Sequence, residues 1–211
     1  MECTQASFLK DVATHEMHIL HEDGVYRHIR FKQPGTGCMH FDLITYPGYL
    51  VYSGDMGCYV FSRLNDMFQF FRTDRQSNDG LYINLGYWAE KLQAIDGNRH
   101  NSHAMEFDED AFRRVINEYR VNWMRNGGLD KEQRRELWDE VENDVLASIE
   151  DGEHAATHAA YRFAFKAGRS VFQFDDLFEH NFNRYTFRFI WCCYALSWGV
   201  KKWDESKGGA A

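Results

Sequence analysis

Three turn signals within the first 62 residues constrain this chain more than any other feature. Asp23-Gly24, Pro47-Gly48 and the segment Gly54-Asp55-Met56-Gly57 recur at strand-length intervals, each flanked by alternating apolar residues. An Asp-Gly pair suits a two-residue type I′ hairpin, whose central residues both need positive φ. "MHILHEDGVYRHIRF" is therefore expected to form a hairpin with Leu20 near Arg27 and His18 near Ile29 on one face, and Ile19 near His28 and His21 near Tyr26 on the other. "CMHFDLITY" continues as a strand with Met39, Phe41 and Leu43 on one face, and "YLVYS" and "CYVFS" extend the pattern. The glycines and aromatics between Thr45 and Ser62 then serve turns and strand pairing rather than a ligand.

Helical spacing takes over elsewhere. Thr4 is expected to cap a first helix with Phe8, Leu9 and Val12 inward, and Ser62 one built on Leu64, Met67, Phe68 and Phe71. "GYWAEKLQAIDG" reads as a short helix ended by Gly97, between the polar loops "TDRQSNDG" and "NRHNSHAMEF", the latter presenting His100 and His103 to solvent. Asp108 should cap a helix with the stripe Phe112, Val115, Ile116, Tyr119 and Trp123, stopped by Gly127-Gly128. Asp130 should cap the next, with Leu137, Val141, Val145 and Ile149 four apart, the two forming an antiparallel pair. "YRFAFKAGRSVFQF" suggests a second hairpin about Ala167-Gly168, alternating through Tyr161, Phe163, Phe165 and Val171 before a phase change at Phe172 and Phe174. "NRYTFRFIWCCYALSWGVKKW" is apolar nearly all round, so its helix should be buried on most sides. The expected fold class is α+β: an N-terminal antiparallel β-meander of about five strands packed against several α-helices, with a C-terminal central buried helix. A single domain over 1–205, divisible into a sheet-rich 1–100 and a helical 101–205, precedes a tail at 206–211.

Composition excludes several classes. At 211 residues with 44% apolar content, the chain has ample material for one core. No apolar run approaches the roughly 18–20 residues of a membrane span, so no membrane partner is expected. The N-terminus lacks the basic start and apolar block of a secretory signal, and the five cysteines read as free thiols in a reducing compartment. Net charge is −8, and Ala104 to Glu153 alone holds 15 acids against seven bases. Direct nucleic-acid binding is not expected, because no basic stripe exists to displace counterions.

Catalytic signatures are missing. There is no G-x-S-x-G elbow, no P-loop, no G-x-G-x-x-G, no HExxH and no CxxC. His15, His18, His21 and His28 fall within 14 residues, with Cys38 and His40 nearby, but the expected register puts only His21 and His28 on a shared face. Asp139-Glu140 and Asp175-Asp176 are paired acids outside apolar surroundings. No catalytic residue, metal or cofactor is assigned. The candidate that remains is the acidic helix, where Glu132, Glu136, Asp139, Glu140, Asn143 and Glu150 point away from the Leu137–Ile149 stripe. Such a row can imitate a phosphate backbone or dock on a Lys/Arg patch.

"FDLITYPGYLVYSGDMGCYVFSRLNDMFQFFR", "INLGYWAEKLQAID", "FDEDAFRRVINEYR" and "FIWCCYALSWGV" resemble a family of uncharacterised accessory proteins of bacteriophages and prophages of enteric bacteria. The likeness runs from the first helix to Trp203. It carries no functional residues; it implies an accessory phage protein acting in the bacterial host cytoplasm. The expected function is non-enzymatic inhibition of a host defence or nucleic-acid-handling complex, anti-CRISPR-like or otherwise anti-defence. The expected partner is a host protein or protein–nucleic acid complex with a basic surface. Alternatives are a metal-assisted enzyme using the His-rich hairpin, and a self-assembling phage accessory protein.

Overall fold

The structure is a computed structural model that describes residues 3–72, 80–96 and 103–208. In chain order the elements are α1 (Gln5–Asp11), β1 (Glu16–Asp23), β2 (Tyr26–Lys32), β3 (His40–Tyr46), β4 (Tyr49–Gly54), β5 (Gly57–Ser62), α2 (Met67–Phe71), α3 (Leu85–Ala89) and β6 (Leu92–Ile95). After β7 (Met105–Phe107) come α4 (Glu109–Asn126), α5 (Lys131–Glu140), α6 (Glu153–Arg162), β8 (Phe165–Ala167), β9 (Ser170–Phe172), β10 (Asn183–Tyr185) and α7 (Phe187–Ser206). The class is α+β, and the meander holds six strands in the order β1-β2-β3-β4-β5-β6, all antiparallel.

The chain gathers into two units, one formed by 1–105 with 185–211 and the other by 106–184. The final helix thus belongs with the sheet rather than with the helices that precede it in sequence. In the first unit, alternation buries one face of the sheet: Ile29 and Phe31, Phe41 and Leu43, Leu50 and Tyr52, Tyr59 and Phe61 are all essentially inaccessible. α7 covers that face, capped by Thr186, whose Oγ1 accepts from the Phe189 amide at 3.2 Å. α7 buries Phe189, Trp191, Cys192, Cys193, Leu196 and Val200 within the first unit, and among the described residues no helix is long and apolar enough to cross a membrane. Phe8 of α1 packs on Trp191, Tyr194 and Trp198 of α7 with ring centroids 4.9, 5.7 and 6.2 Å apart.

Several local expectations are corrected. The first hairpin turns on Gly24-Val25, since Asp23 pairs with Tyr26; Gly24 has φ 57° while Val25 stays outside the positive region, the II′ pattern. That turn sets His21 opposite His28, and a bulge at Leu20 then shifts the register so that Ile19 faces Ile29. Met39 stands outside the strand with φ 57°, its amide and that of His40 both donating to the Asp55 carboxylate. Leu9 and Leu64 are exposed. α2 is capped by Asp66, which also binds Arg27 through two hydrogen bonds of 2.8 and 3.1 Å, whereas Ser62 remains in β5. Leu92–Ile95 is a strand instead of a helical turn, because the β5 edge offers backbone partners that outweigh local propensity. Gly97 and His100 lie outside the described residues, as does most of the "TDRQSNDG" loop; His103 is exposed.

The second unit follows the sequence closely. Asp108 caps α4, with Phe112 and Ile116 fully buried. Leu137, Val141, Val145 and Ile149 join them in one core with Phe163, Phe165, Phe172 and Phe174. β8 and β9 make the second hairpin, while Tyr161 lies exposed in the last turn of α6 and Val171 is exposed.

Candidate acidic docking face

α5 starts from a reciprocal cap. The Asp130 carboxylate accepts from the Gln133 amide at 2.9 Å, and the Gln133 side chain accepts from the Asp130 amide at 3.1 Å. Arg134 turns back and donates to the Leu129 carbonyl at 2.9 Å, so it reinforces the start of the helix. From Val141 to Leu146 the helix widens into a π-helical turn, then tightens into a 3₁₀ segment, Ala147–Asp151, ended by Gly152 at φ 95°.

That widening has a physical reason in the spacing. Residues four apart overrun a 3.6-residue turn by about 40° per step. An i→i+5 turn holds more than four residues and takes the drift back. Leu137, Val141, Val145 and Ile149 consequently stay on the buried side, each no more than 2% exposed. The same correction acts on the outside, where Glu132, Glu136, Glu140 and Asp144 also stand four apart.

Glu132, Glu136, Asp139, Glu140 and Asn143 line one open depression, together with Asp130, Gln133, Arg135 and Asp144. The sequence reading missed Asp144, which an unbroken α-helix would carry off the row; its spacing from Glu140 was the available signal. Glu150 is exposed but lies outside the depression, in the 3₁₀ segment. Glu140 and Asp144 also border a smaller hollow with Ala159, Arg162, Phe163 and Ala164. Burial raises the Glu140 carboxyl above its ordinary value, and the charges of Glu136 and Asp144 push it the same way.

Arg135 lines the same depression and Arg162 the adjoining hollow, but neither closes an ion pair with the column. Among the described residues, Glu132, Glu136, Asp139, Glu140 and Asp144 form no ion pair within 4.0 Å. Buried Arg120 reaches α5 from α4, but it stacks 3.4 Å over the Trp138 ring and donates to Glu142 at 3.0 Å, off the column.

The other candidates are committed elsewhere. His21 lies opposite His28, whose Nε2 is 2.9 Å from the Asp42 carboxylate. Arg30 grips the same carboxylate with two bonds of 2.8 Å. Burial alone would raise the Asp42 carboxyl, but hydrogen bonds from Arg30 and His28 and their charges outweigh it and hold it below the ordinary range. His40 Nδ1 is 3.8 Å from Asp55, and burial lowers His15 against the pull of Asp11 and Asp55. Among the described residues no three His, Cys, Asp or Glu side chains gather so as to hold a metal ion. Asp175 and Asp176 are exposed, Asp176 at φ 59° before the 3₁₀ turn Leu177–Glu179. Tyr46 and Tyr49 stack at 5.0 Å on the surface, whereas Tyr52 is wholly buried.

The chain matches no protein family, no curated protein and no solved structure with which it was compared.

Proposed function

We propose that this is a non-enzymatic binding protein that docks on a basic surface of its partner through the α5 carboxylate column. The observation that carries the reading is the series Glu132, Glu136, Glu140 and Asp144, which forms no ion pair among the described residues and runs about 18 Å along the helix axis at 1.5 Å per residue. Like charges four apart each cost a helix a few tenths of a kcal/mol. A Lys/Arg surface laid along the column relieves that repulsion and accelerates encounter. Following the phage resemblance, the partner is a host defence or nucleic-acid-handling complex, met in the bacterial host cytoplasm and inhibited by contact.

The test uses purified protein as bait in extract from the enteric host, beside a Glu136→Lys, Asp139→Lys, Glu140→Lys triple variant. The expected result is a stoichiometric partner retained by the parent protein and lost both with the variant and at 1 M salt, where the screening length is about 3 Å. Equal capture by the triple variant removes the acidic column from the interface and overturns the proposal.

A further inference from the structure

Helix α6 carries a feature that the docking role leaves unused. His154 and His158 stand one turn apart on its exposed side, with ring centroids 6.3 Å apart and planes inclined by 31°. We propose that these two imidazoles form a chelate for a late first-row divalent ion of the Zn²⁺, Ni²⁺ or Cu²⁺ class.

Residues i and i+4 share a helix face, and the same spacing presents two histidines to zinc in helical H-E-x-x-H sites. An ion about 2.0–2.1 Å from each nitrogen, near the tetrahedral angle, needs ring centroids about 5 Å apart. The rings must therefore close by roughly 1 Å, which exposed side chains achieve by rotating within their staggered wells. Neither imidazole makes a hydrogen bond or ion pair with another side chain among the described residues that would oppose this. Asp151 and Glu153 immediately precede the pair, at the end of the Ala104–Glu153 segment whose net charge is −8, so the field on that side favours cations. Imidazole nitrogen selects zinc, nickel and copper over magnesium and calcium, which prefer oxygen. Two protein ligands leave the remaining positions to water or to a group brought by another molecule. Bridging His154 and His158 across one turn also fixes the start of α6 (Glu153–Arg162), so binding stabilises the folded chain by mass action.

Full-length, tag-free protein is titrated with NiCl₂ while amide line broadening is followed by NMR, and its melting temperature is measured with ZnCl₂. Broadening should begin at residues 152–162, and zinc should raise the melting temperature. His154→Ala or His158→Ala should each weaken binding at least about tenfold, no less than the loss of a supporting second-shell contact costs. The double variant should lose both effects. Both positions are exposed and alanine is the better helix former, so the variants retain the fold. Broadening centred on the His18–His28 hairpin or on Cys38, unchanged affinity in the double variant, or no response at millimolar ion each overturns the proposal.

Discussion

Replacement of Gly199 by alanine tests how closely α7 lies on the sheet. A Cβ added at Gly199 would meet Leu43 Cδ1 at 2.8 Å and Phe31 Cε2 at 3.1 Å, and both neighbours are fully buried. In a helix interior, Gly→Ala is favourable by about 0.8–1.0 kcal/mol. Overfilling a packed core costs about 1–3 kcal/mol. The expected net effect is a destabilisation of up to about 2 kcal/mol, against the sign of helix propensity. Leu43→Ala alone should cost about 2–5 kcal/mol, since it empties a buried site. In that background the nearest atom has gone and only the Phe31 contact remains, so Gly199→Ala should turn neutral or stabilising. The coupling between the two positions should reach about 1 kcal/mol or more, as for residues in direct contact. Urea unfolding of the four proteins of the cycle, followed by tryptophan fluorescence, measures it. If Gly199→Ala stabilises the parent chain, or has the same effect in both backgrounds within about 0.5 kcal/mol, the close approach is refuted.

Two further outcomes follow from the polar groups and thiols of the sheet unit. Asp42 is held below the 3.8 of a free carboxyl, so its contribution is present above that value and lost as pH falls through the lower folded value; the melting temperature should drop below about pH 4. Arg30→Gln should shrink that acid-dependent part, and an unchanged pH profile would count against the Arg30–Asp42 pairing. Burial pushes the Cys192 and Cys193 thiols well up and Cys3 to about 11, whereas Cys38 is exposed. An aromatic disulfide reagent should modify Cys38 first and reach Cys192 and Cys193 only on unfolding; rapid native-state reaction at those two positions would show that α7 is not seated as described.

Most of the architecture was legible wherever a residue's fate depends on its near neighbours. Asp108 and Asp130 announce α4 and α5, and of the residues that periodicity picks Phe112, Ile116 and Leu137 are buried while Val115, Tyr119 and Trp123 pack partly buried on the same core; buried Ala111 and Arg120 were not picked. What escaped depends on distant backbone. The Asp23-Gly24 dipeptide suggested one turn, yet the turn sits one residue on and a bulge at Leu20 then sets Met17 opposite Phe31 and Ile19 opposite Ile29, with Met17 partly buried and Ile19 left exposed. "LQAI" has no strand signal of its own; it becomes one because β5 presents an open edge. Ser62 was the expected cap of α2, but Asp66 takes that place, its carboxylate fixed by Arg27, 39 residues away. At the acidic face, Glu132, Glu136, Asp139, Glu140 and Asn143 were readable from a helical wheel, while Asp144 required the π turn. The His154/His158 pair was visible as an i, i+4 spacing, overshadowed by the denser but scattered histidines of the first hairpin.

The return of the chain to the sheet through α7 sets an order of events during synthesis. All six strands are complete once Ile95 has been made, but their main apolar cover ends only at Ser206. At ribosomal speeds of about 5–20 residues per second, those 111 intervening residues take roughly 6–22 s. The inserted unit, contiguous in sequence, has its whole chain available earlier. For that interval the growing polypeptide carries an oily β-surface awaiting its lid, and chaperone capture of nascent chains should fall off sharply once the last helix has emerged.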